Sequence, residues 1–404
     1  MQEFSPADAE GIVKALSYPR LPGSPGAAKA VSDISSMFEK IGMTLTKEGF
    51  LASTAMFGRA LELEMASTIA IAAVMAIVSH VAPALNLFLV AGTAIAVIVV
   101  LNMLSAGKSR PTTRGVPTFN LSCAVPPLKS KRGTVLFMAH HDTKSQSLTA
   151  LQRVACFVGW AITLLEGLAL FAIIGIIDIT TSGTSLEDQA RGTIATLNLV
   201  AVTSVVVLAC FTIPLALNKV GNESPGSLDN ASGVAAVYML AKAVKANPFH
   251  HLEARFLITG AEELGLFGAK EYLAKHGPEL PPASTWVLNF DTMGSIGGKV
   301  EVLESMGFPV PRKVSPLLFG LARDAASSLG HEFSRIYLPI GAATDRMVFS
   351  RKGIEGIDFG CRRGASVIHT GRDAPGMLDP ALAAKVTAVG HRVAMRLDER
   401  AQKA

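Results

Sequence analysis

Seven residues spread over more than half of the chain have the types that bind divalent cations and move protons: His140, Asp142, Asp229, Glu262, Glu263, Asp291 and His369. Three of the segments that carry them share one form. The apolar runs Thr134–Ala139, Arg255–Thr259 and Trp286–Phe290 read as buried strands. They end at His140-His141-Asp142, at Gly260-Ala261-Glu262-Glu263 and at Asp291. Ligand sites in open α/β sheets lie beyond the carboxyl ends of the strands. The spacing therefore predicts that these groups converge, with Asp229 entering from a helix start and His369 from a later loop. Two imidazoles and several carboxylates, without a thiolate, suit Zn²⁺, Mn²⁺ or Co²⁺. Two such ions roughly 3.5–4 Å apart can activate one water and polarise one carbonyl. That chemistry needs a carboxylate shared between the ions, and an imidazole and a carboxylate for each. It also needs a free carboxylate to take the water's proton and a neighbour that fixes the tautomer of a ligand histidine. The seven residues can fill every role.

The elements that must position these groups alternate between strand and helix. Helical patterns cover Ala27–Lys40, Gly233–Lys245, Pro316–Leu329 and Pro380–Arg400, and a further helix runs to about His276. Strands are expected near Phe333–Leu338 and Gly356–Phe359 as well. This order predicts an α/β fold with a central, mostly parallel sheet flanked by helices. The sequence carries no internal repeat and no low-complexity segment.

Composition adds a second component. Half of the 404 residues are apolar and 17% are charged, against about 25% charged in an ordinary globular chain; the mean hydropathy is +0.40. The surplus is concentrated. From Met65 to Gly107 the chain holds no Asp, Glu, Lys or Arg. Four candidate membrane helices in two hairpins follow: Met65–Ala82 and Leu85–Ser105, then Val154–Ile177 and Thr193–Leu217. The expected organisation is catalytic segments at 1–64, 106–153 and 218–404, interrupted by membrane hairpins at 65–105 and 154–217. The first sixty residues contain no charged-then-apolar leader, so the internal segments are expected to bring the chain to the bilayer. Between Ala106 and Arg153 there are eight basic residues and one acid, Asp142. That bias predicts a cytoplasmic catalytic domain in a multi-pass protein. Within it, Lys129, Lys131 and Arg132 are expected to touch anionic lipid rather than nucleic acid. Glu166 falls near the middle of the third span, where a carboxyl group is costly. It is expected either to pack against a polar neighbour such as His80 or Asn198, or to contact substrate. Cys123, Cys156, Cys210 and Cys361 form no CxxC pair, which argues against a disulfide framework or a thiolate zinc site.

Five strings in order carry a family resemblance: AHHDT (139–143), LDNASGVAA (228–236), GAEELGLFG (260–268), NFDTMG (289–294) and HTGRDAP (369–375). Together they resemble the aminopeptidase Y family of dizinc metallopeptidases, which includes bacterial leucyl aminopeptidases and glutamate carboxypeptidase. The likeness runs from about Gly133 to the C-terminus, and the N-terminal RLPGSPG is also similar. It implies that His140 and Asp291 hold one zinc, Glu263 and His369 the other, and Asp229 both. It makes Glu262 the general base, gives Asp142 the task of orienting His140, and gives Asp345 in ATDRMVF a supporting role. Arg346 stands where the family often has histidine or another residue. The implied activity is a membrane-embedded metallo-aminopeptidase acting on peptides or acyl amides near the bilayer, and a homo-oligomer is compatible with it. Two other readings stay open. One is amide chemistry of another kind, such as N-acyl amino acid hydrolysis or glutaminyl cyclisation. The other is a non-enzymatic membrane receptor or scaffold.

Overall fold

The structure is a computed structural model that describes residues 3–54, 59–105, 115–308 and 310–403. It contains two compact units. One comprises Met1–Met56, Ser109–Leu151 and Lys219–Ala404; the other comprises Phe57–Lys108 and Gln152–Asn218.

The first unit begins with α1 (Pro6–Leu16) and α2 (Pro25–Lys40). Each has a serine ahead of it, Ser5 or Ser24, whose hydroxyl accepts an N–H of the first turn, and each has proline in that turn. β1 (Thr46–Ala52) follows, and the chain then passes through α3 (Arg59–Val81) and α4 (Asn86–Ser105). It returns in β2 (Val116–Val125), β3 (Gly133–His140) and β4 (Ser145–Gln146), and departs again through α5 (Ala150–Thr181) and α6 (Glu187–Ala216). The remainder is β5 (Val220–Gly221), α7 (Ser232–Ala246), β6 (Leu252–Thr259), α8 (Phe267–His276), β7 (Thr285–Phe290), β8 (Val300–Met306), β9 (Arg312–Lys313), α9 (Pro316–Ser328), β10 (Phe333–Leu338), α10 (Arg346–Ser350), β11 (Glu355–Gly360) and α11 (Pro380–Lys403).

The main sheet runs β1-β2-β6-β3-β7-β11-β8-β10, with β9 paired to β8. Its centre, β6-β3-β7-β11, is parallel; β2 is antiparallel to β1 and β6, and β8 is antiparallel to β11. This is the mixed, mostly parallel sheet expected from the alternating pattern. Every residue of β3 is buried, because helices cover both faces. Val135, Phe137 and Ala139 enter the core that includes residues of α1, α7, α9 and α11. Leu136 and Met138 enter the opposite core with Tyr272 and Leu273 of α8 and Phe349 of α10. Each such side chain stabilises the sheet by roughly 2 kcal/mol.

Three features depart from the reading of the sequence. β1, β2, β8 and the short β4, β5 and β9 were not expected. Strands such as Val116–Val125 (VPTFNLSCAV) mix polar and apolar residues without a clean period, because an edge-side strand is only partly covered. The basic cluster is the second departure. Lys131 pairs with Glu253 at 3.0 Å, and Arg132 donates to the carbonyls of Ala401 and Gln402. These residues precede β3 and lie at its amino end, whereas both excursions leave from the other end. Val116 and Ala52 are ladder partners beyond the carboxyl end of β6, and β4 follows the carboxyl end of β3. The length of β3 separates the cluster from these chain exits. Lys108, Arg110 and Arg114 lie outside the described residues.

The second unit is a helical bundle with Met75, Phe171, Ile174, Ile194 and Ala201 at its centre. Large apolar side chains also face outward, among them Ile77, Phe88, Leu165, Leu199 and Val206. Three helical stretches, Leu61–Val81, Ala150–Thr181 and Glu187–Ala216, are long and apolar enough to cross a membrane; the apolar stretch Pro83–Val97 is shorter. Buried amides tie the bundle together: Asn198 Nδ2 donates to the Ser79 carbonyl at 3.0 Å and Asn86 Nδ2 to the Met75 carbonyl at 3.2 Å. The third departure is Glu166. It meets neither His80 nor Asn198; Ser204 Oγ donates to its Oε1 at 3.5 Å, and Asn198 is taken by Ser79.

One carboxylate anchors the strand that carries the Glu262–Glu263 loop. Asp398 on α11 accepts the backbone N–H groups of His250, His251 and Leu252 at 2.7–2.9 Å. Asp398→Ala leaves three donors at the start of β6 without their acceptor. It is expected to lower unfolding stability by roughly 2–4 kcal/mol, read from denaturant melts followed by tryptophan fluorescence.

Candidate metal centre

Each chemistry-bearing side chain is delivered by a strand end or by a turn locked to one. His140 is the last residue of β3, Glu262 and Glu263 follow β6, and Asp291 follows β7. Asp229 lies in the turn Ser227–Ala231 ahead of α7, whose Asn230 side chain donates to the Phe290 carbonyl at 2.9 Å and accepts from Gly233 N–H at 3.0 Å. His369 lies in the loop between β11 and α11. Ala261, Leu266, Thr292 and His369 all adopt positive φ although none is glycine. Left-handed backbone at such residues costs energy and persists where surrounding structure enforces it. All four lie in the loops that carry the acidic and imidazole groups.

Those loops bring the donors together in two lobes with one shared member. His140 Nε2 lies 3.1 Å from Asp229 Oδ1 and 3.7 Å from Asp291 Oδ1. His369 Nε2 lies 3.0 Å from Asp229 Oδ2 and 3.1 Å from Glu263 Oε1. The two oxygens of Asp229 thus face different imidazoles. The groups His140, Asp229, Asp291 and Asp229, Glu263, His369 each gather within reach of one ion.

The donor set fits cations. Burial opposes a charge on His140, yet the Glu262 carboxylate and the bonds to Asp142, Asp229 and Asp291 hold its imidazolium well above the usual histidine range. Burial pushes the Glu262 carboxyl well up, and Glu263, Asp345 and Asp291 push it further against the pull of His140. Burial also raises Asp291 and brings Asp345 to about 7. So many buried carboxylates demand protons or cations. Glu263 Oε1, although buried, accepts no hydrogen bond among the described residues, which leaves a lone pair aimed into the second lobe.

The surrounding groups set the frame. The Asp142 carboxylate accepts the N–H groups of Glu262 and Glu263, each at 3.1 Å. Its Oδ1 is 3.7 Å from His140 Nδ1, whose nearer partner is the Asp142 carbonyl at 3.1 Å. Asp142 therefore bears on His140 mainly through its backbone, while its carboxylate ties the β3 loop to the β6 loop. Asp345 accepts a hydrogen bond from Thr259 Oγ1 at the end of β6. Arg346 is buried against Asp358 and Ser350, so its guanidinium serves packing. Glu166 belongs to the other unit.

Three residues near the centre were not singled out from the sequence. Arg20 is fully buried and donates to the carbonyls of His141, Pro225 and Gly226 at 2.7–2.9 Å. It joins the loop that follows His140 to the turn that carries Asp229. Asp373 accepts the N–H groups of Leu228 and Asp229 at 2.7 and 3.1 Å. Lys144 is buried with Nζ 2.7 Å from Glu263 Oε2. The only signal for them is position: Arg20 opens RLPGSPG, Lys144 follows AHHDT, and Asp373 sits inside HTGRDAP.

The shared carboxylate makes a stoichiometric prediction. His369→Ala is expected to leave one metal equivalent bound, and Asp229→Ala to leave none. Elemental analysis of protein purified without chelator and passed through gel filtration measures both.

The chain is similar to known proteins in sequence and in fold. The model of the family described as Peptidase family M28 matches residues 212–394, somewhat under half of the chain. Aminopeptidase YwaD of Bacillus subtilis is 30% identical over 136 residues, which are 34% of this chain and 29% of that protein. The probable lipoprotein aminopeptidase LpqL of Mycobacterium tuberculosis is 38% identical over 73 residues, 18% of this chain and 15% of that protein. The chain therefore spans less than a third of either relative. Two solved structures share the fold at low identity. A leucine aminopeptidase precursor from Bacteroides thetaiotaomicron aligns with a TM-score of 0.55 at 13% identity, over 98% of both chains. A glutaminyl cyclase from an Acidobacteriales bacterium aligns with a TM-score of 0.56 at 13% identity, over 99% of this chain and 96% of that one. Together these likenesses are a sequence similarity to Peptidase family M28 over residues 212–394 and a fold shared with the aminopeptidase and cyclase structures.

Proposed function

We propose that the chain is a membrane-anchored zinc metallopeptidase, acting as an aminopeptidase. The observation that carries this reading is the shared carboxylate: one oxygen of Asp229 faces His140 and the other faces His369. His140 and Asp291 would hold one ion, Glu263 and His369 the other, with Asp229 between them. When bound, two such ions supply Lewis acidity for the scissile carbonyl and for a water. The chain's own groups do the rest. The Glu262 carboxylate, held in a buried and acidic setting, takes the proton from the attacking water. The water's oxygen bonds to the carbonyl carbon, the carbon–nitrogen bond breaks, and Glu262 returns the proton to the departing amine. Asp142 keeps the Glu262–Glu263 backbone fixed through its two N–H contacts, so the base does not swing. The lysine ammonium on Glu263 Oε2 leaves Oε1 facing the second lobe.

The glutaminyl cyclase neighbour favours a second reading, because its TM-score equals that of the aminopeptidase within 0.01. A cyclase of this fold is expected to use one metal. The paired donor sets favour two. Glu262→Gln should keep both metals and lose at least about a thousandfold in kcat on amino-acid amides and short peptides. One metal per chain, with glutaminyl cyclisation in place of peptide hydrolysis, overturns the first reading.

We infer further that the substrate is a peptide or acyl amide near the bilayer, and that the catalytic unit faces the cytoplasm. Three helices long and apolar enough to cross a membrane support the anchor. In sequence, Asp142 comes shortly before the start of α5 and Asp229 shortly after the end of α6, so short segments tie both donors to apolar helices. The excess of base between the apolar segments supports the orientation. Matched soluble and lipid-linked peptides, assayed with the chain in vesicles, should differ in kcat/KM by at least about tenfold in favour of the lipid-linked form. Equal values count against a membrane-proximal substrate.

A further inference from the structure

The root of the α5–α6 excursion is zipped shut beside a metal-ligand candidate. β4 and β5 form a two-stranded antiparallel ladder in which Ser145 faces Gly221 and Gln146 faces Val220. Side chains reinforce it: Ser145 Oγ accepts Glu223 N–H at 3.1 Å, and Ser147 Oγ accepts Lys219 N–H at 3.4 Å. Ser147 N–H also donates to the Lys219 carbonyl at 3.3 Å. This clip stands between Asp142 and the start of α5 on one side, and between the end of α6 and Asp229 on the other. Gln146 N–H does not complete the ladder. It donates to the carbonyl of His369 at 2.8 Å.

His369 needs such a hold. Its φ is +61°, a left-handed conformation that a histidine keeps only under constraint. Its Nδ1 is buried and has no hydrogen-bond partner among the described residues. A ligand histidine is ordinarily oriented by a bond to its second ring nitrogen. Here that bond is missing among the described residues, and the fixed backbone takes its place. His140, by contrast, has its Nδ1 on the Asp142 carbonyl.

We propose that the β4–β5 clip, acting through the Gln146 main chain, is the positioning element for His369. The lobe formed by Asp229, Glu263 and His369 is then complete only while the chain ends entering α5 and leaving α6 are zipped together. This rests on the two-lobe metal reading, and it makes the ion of that lobe the more easily lost one. Opening of the clip frees the His369 carbonyl and with it the imidazole. Binding linkage runs both ways: an ion in the lobe must also hold the clip closed.

The test uses the full chain in nanodiscs, with zinc as the probe and a chromophoric chelator in competition. Gln146→Pro deletes the N–H, and Gln146→Ala keeps it. The proline variant is expected to bind one of two zinc equivalents about 10- to 100-fold more weakly, with the melting temperature of the zinc-free protein unchanged. The alanine variant should match the parent. Unaltered affinity in the proline variant, or equal loss in both, overturns the proposal. A second arm needs no variant and decides the matter if the proline chain does not fold. Chelation of the parent chain should raise deuterium uptake in peptides covering 145–149 and 219–223, and leave β1 unchanged. Constant uptake at the clip overturns the proposal. A parent chain that binds no zinc defeats the metal reading itself, which is a different result from zinc bound normally without help from Gln146.

Discussion

Negative charge packed at the carboxyl ends of the central strands is the constraint on which the other features depend. Asp142, Asp229, Glu262, Glu263 and Asp345 are nearly removed from water together with two imidazoles, and Asp291 is partly buried beside them. Carboxylates in a medium of low dielectric repel one another and are costly to ionise. The surrounding structure answers with fixed dipoles and cations. Backbone N–H groups receive Asp142 and Asp373. The guanidinium of Arg20 and the ammonium of Lys144 sit among them, each with carbonyl or carboxylate partners. These compensations serve the carboxylates that frame the site. Those that face the two lobes, together with the lone pair on Glu263 Oε1, are the groups that divalent ions would satisfy in the proposed reading.

The sheet explains how such a centre can be assembled from segments so far apart. Parallel β6, β3 and β7 put their carboxyl ends side by side, so three consecutive loops meet without long-range search. Helices on both faces make the strands apolar throughout, which fixes them in place but does nothing for the loops. The loops are fixed by other means: Asn230 against the β7 backbone, Asp142 against the β6 loop, Arg20 across two turns, and left-handed residues where the chain must bend sharply. Precision at the site is thus a property of hydrogen-bonded turns, and stability is a property of the buried strands beneath them.

How much of this could be read from the sequence follows from the same division. β3, β6 and β7 are short apolar runs with an acid or imidazole at the end, so both the strands and the meeting of His140, Glu263 and Asp291 were legible. Asp229 and His369 were legible from the strings around them. β1 and β2 were not, because strands near an edge are half wet and lose the period that marks them. The role of Asp142 was only partly legible. Its place beside His140 suggested a carboxylate–imidazole contact, while the folded chain uses the carboxylate for two amides 120 and 121 residues further along the chain. Arg20 and Lys144 look like surface bases until the fold closes over them. The partners of Lys131 and Arg132 were not legible, because Glu253 and the carbonyls of Ala401 and Gln402 come from distant segments.

The positions where the chain departs for its apolar helices bear on the order of folding. Ala52 and Val116 are ladder neighbours, as are Ser145 and Gly221, yet each pair is separated in sequence by two whole helices. Closing either gap with an unstructured chain would carry a large loop entropy. A helical hairpin formed beforehand brings the two ends together and removes most of that search. A preformed hairpin would therefore ease sheet pairing between β1 and β2, and between β4 and β5. Where those helices cannot form, the pairing of β1 with β2 would have to bear the loop-closure cost of the whole intervening segment.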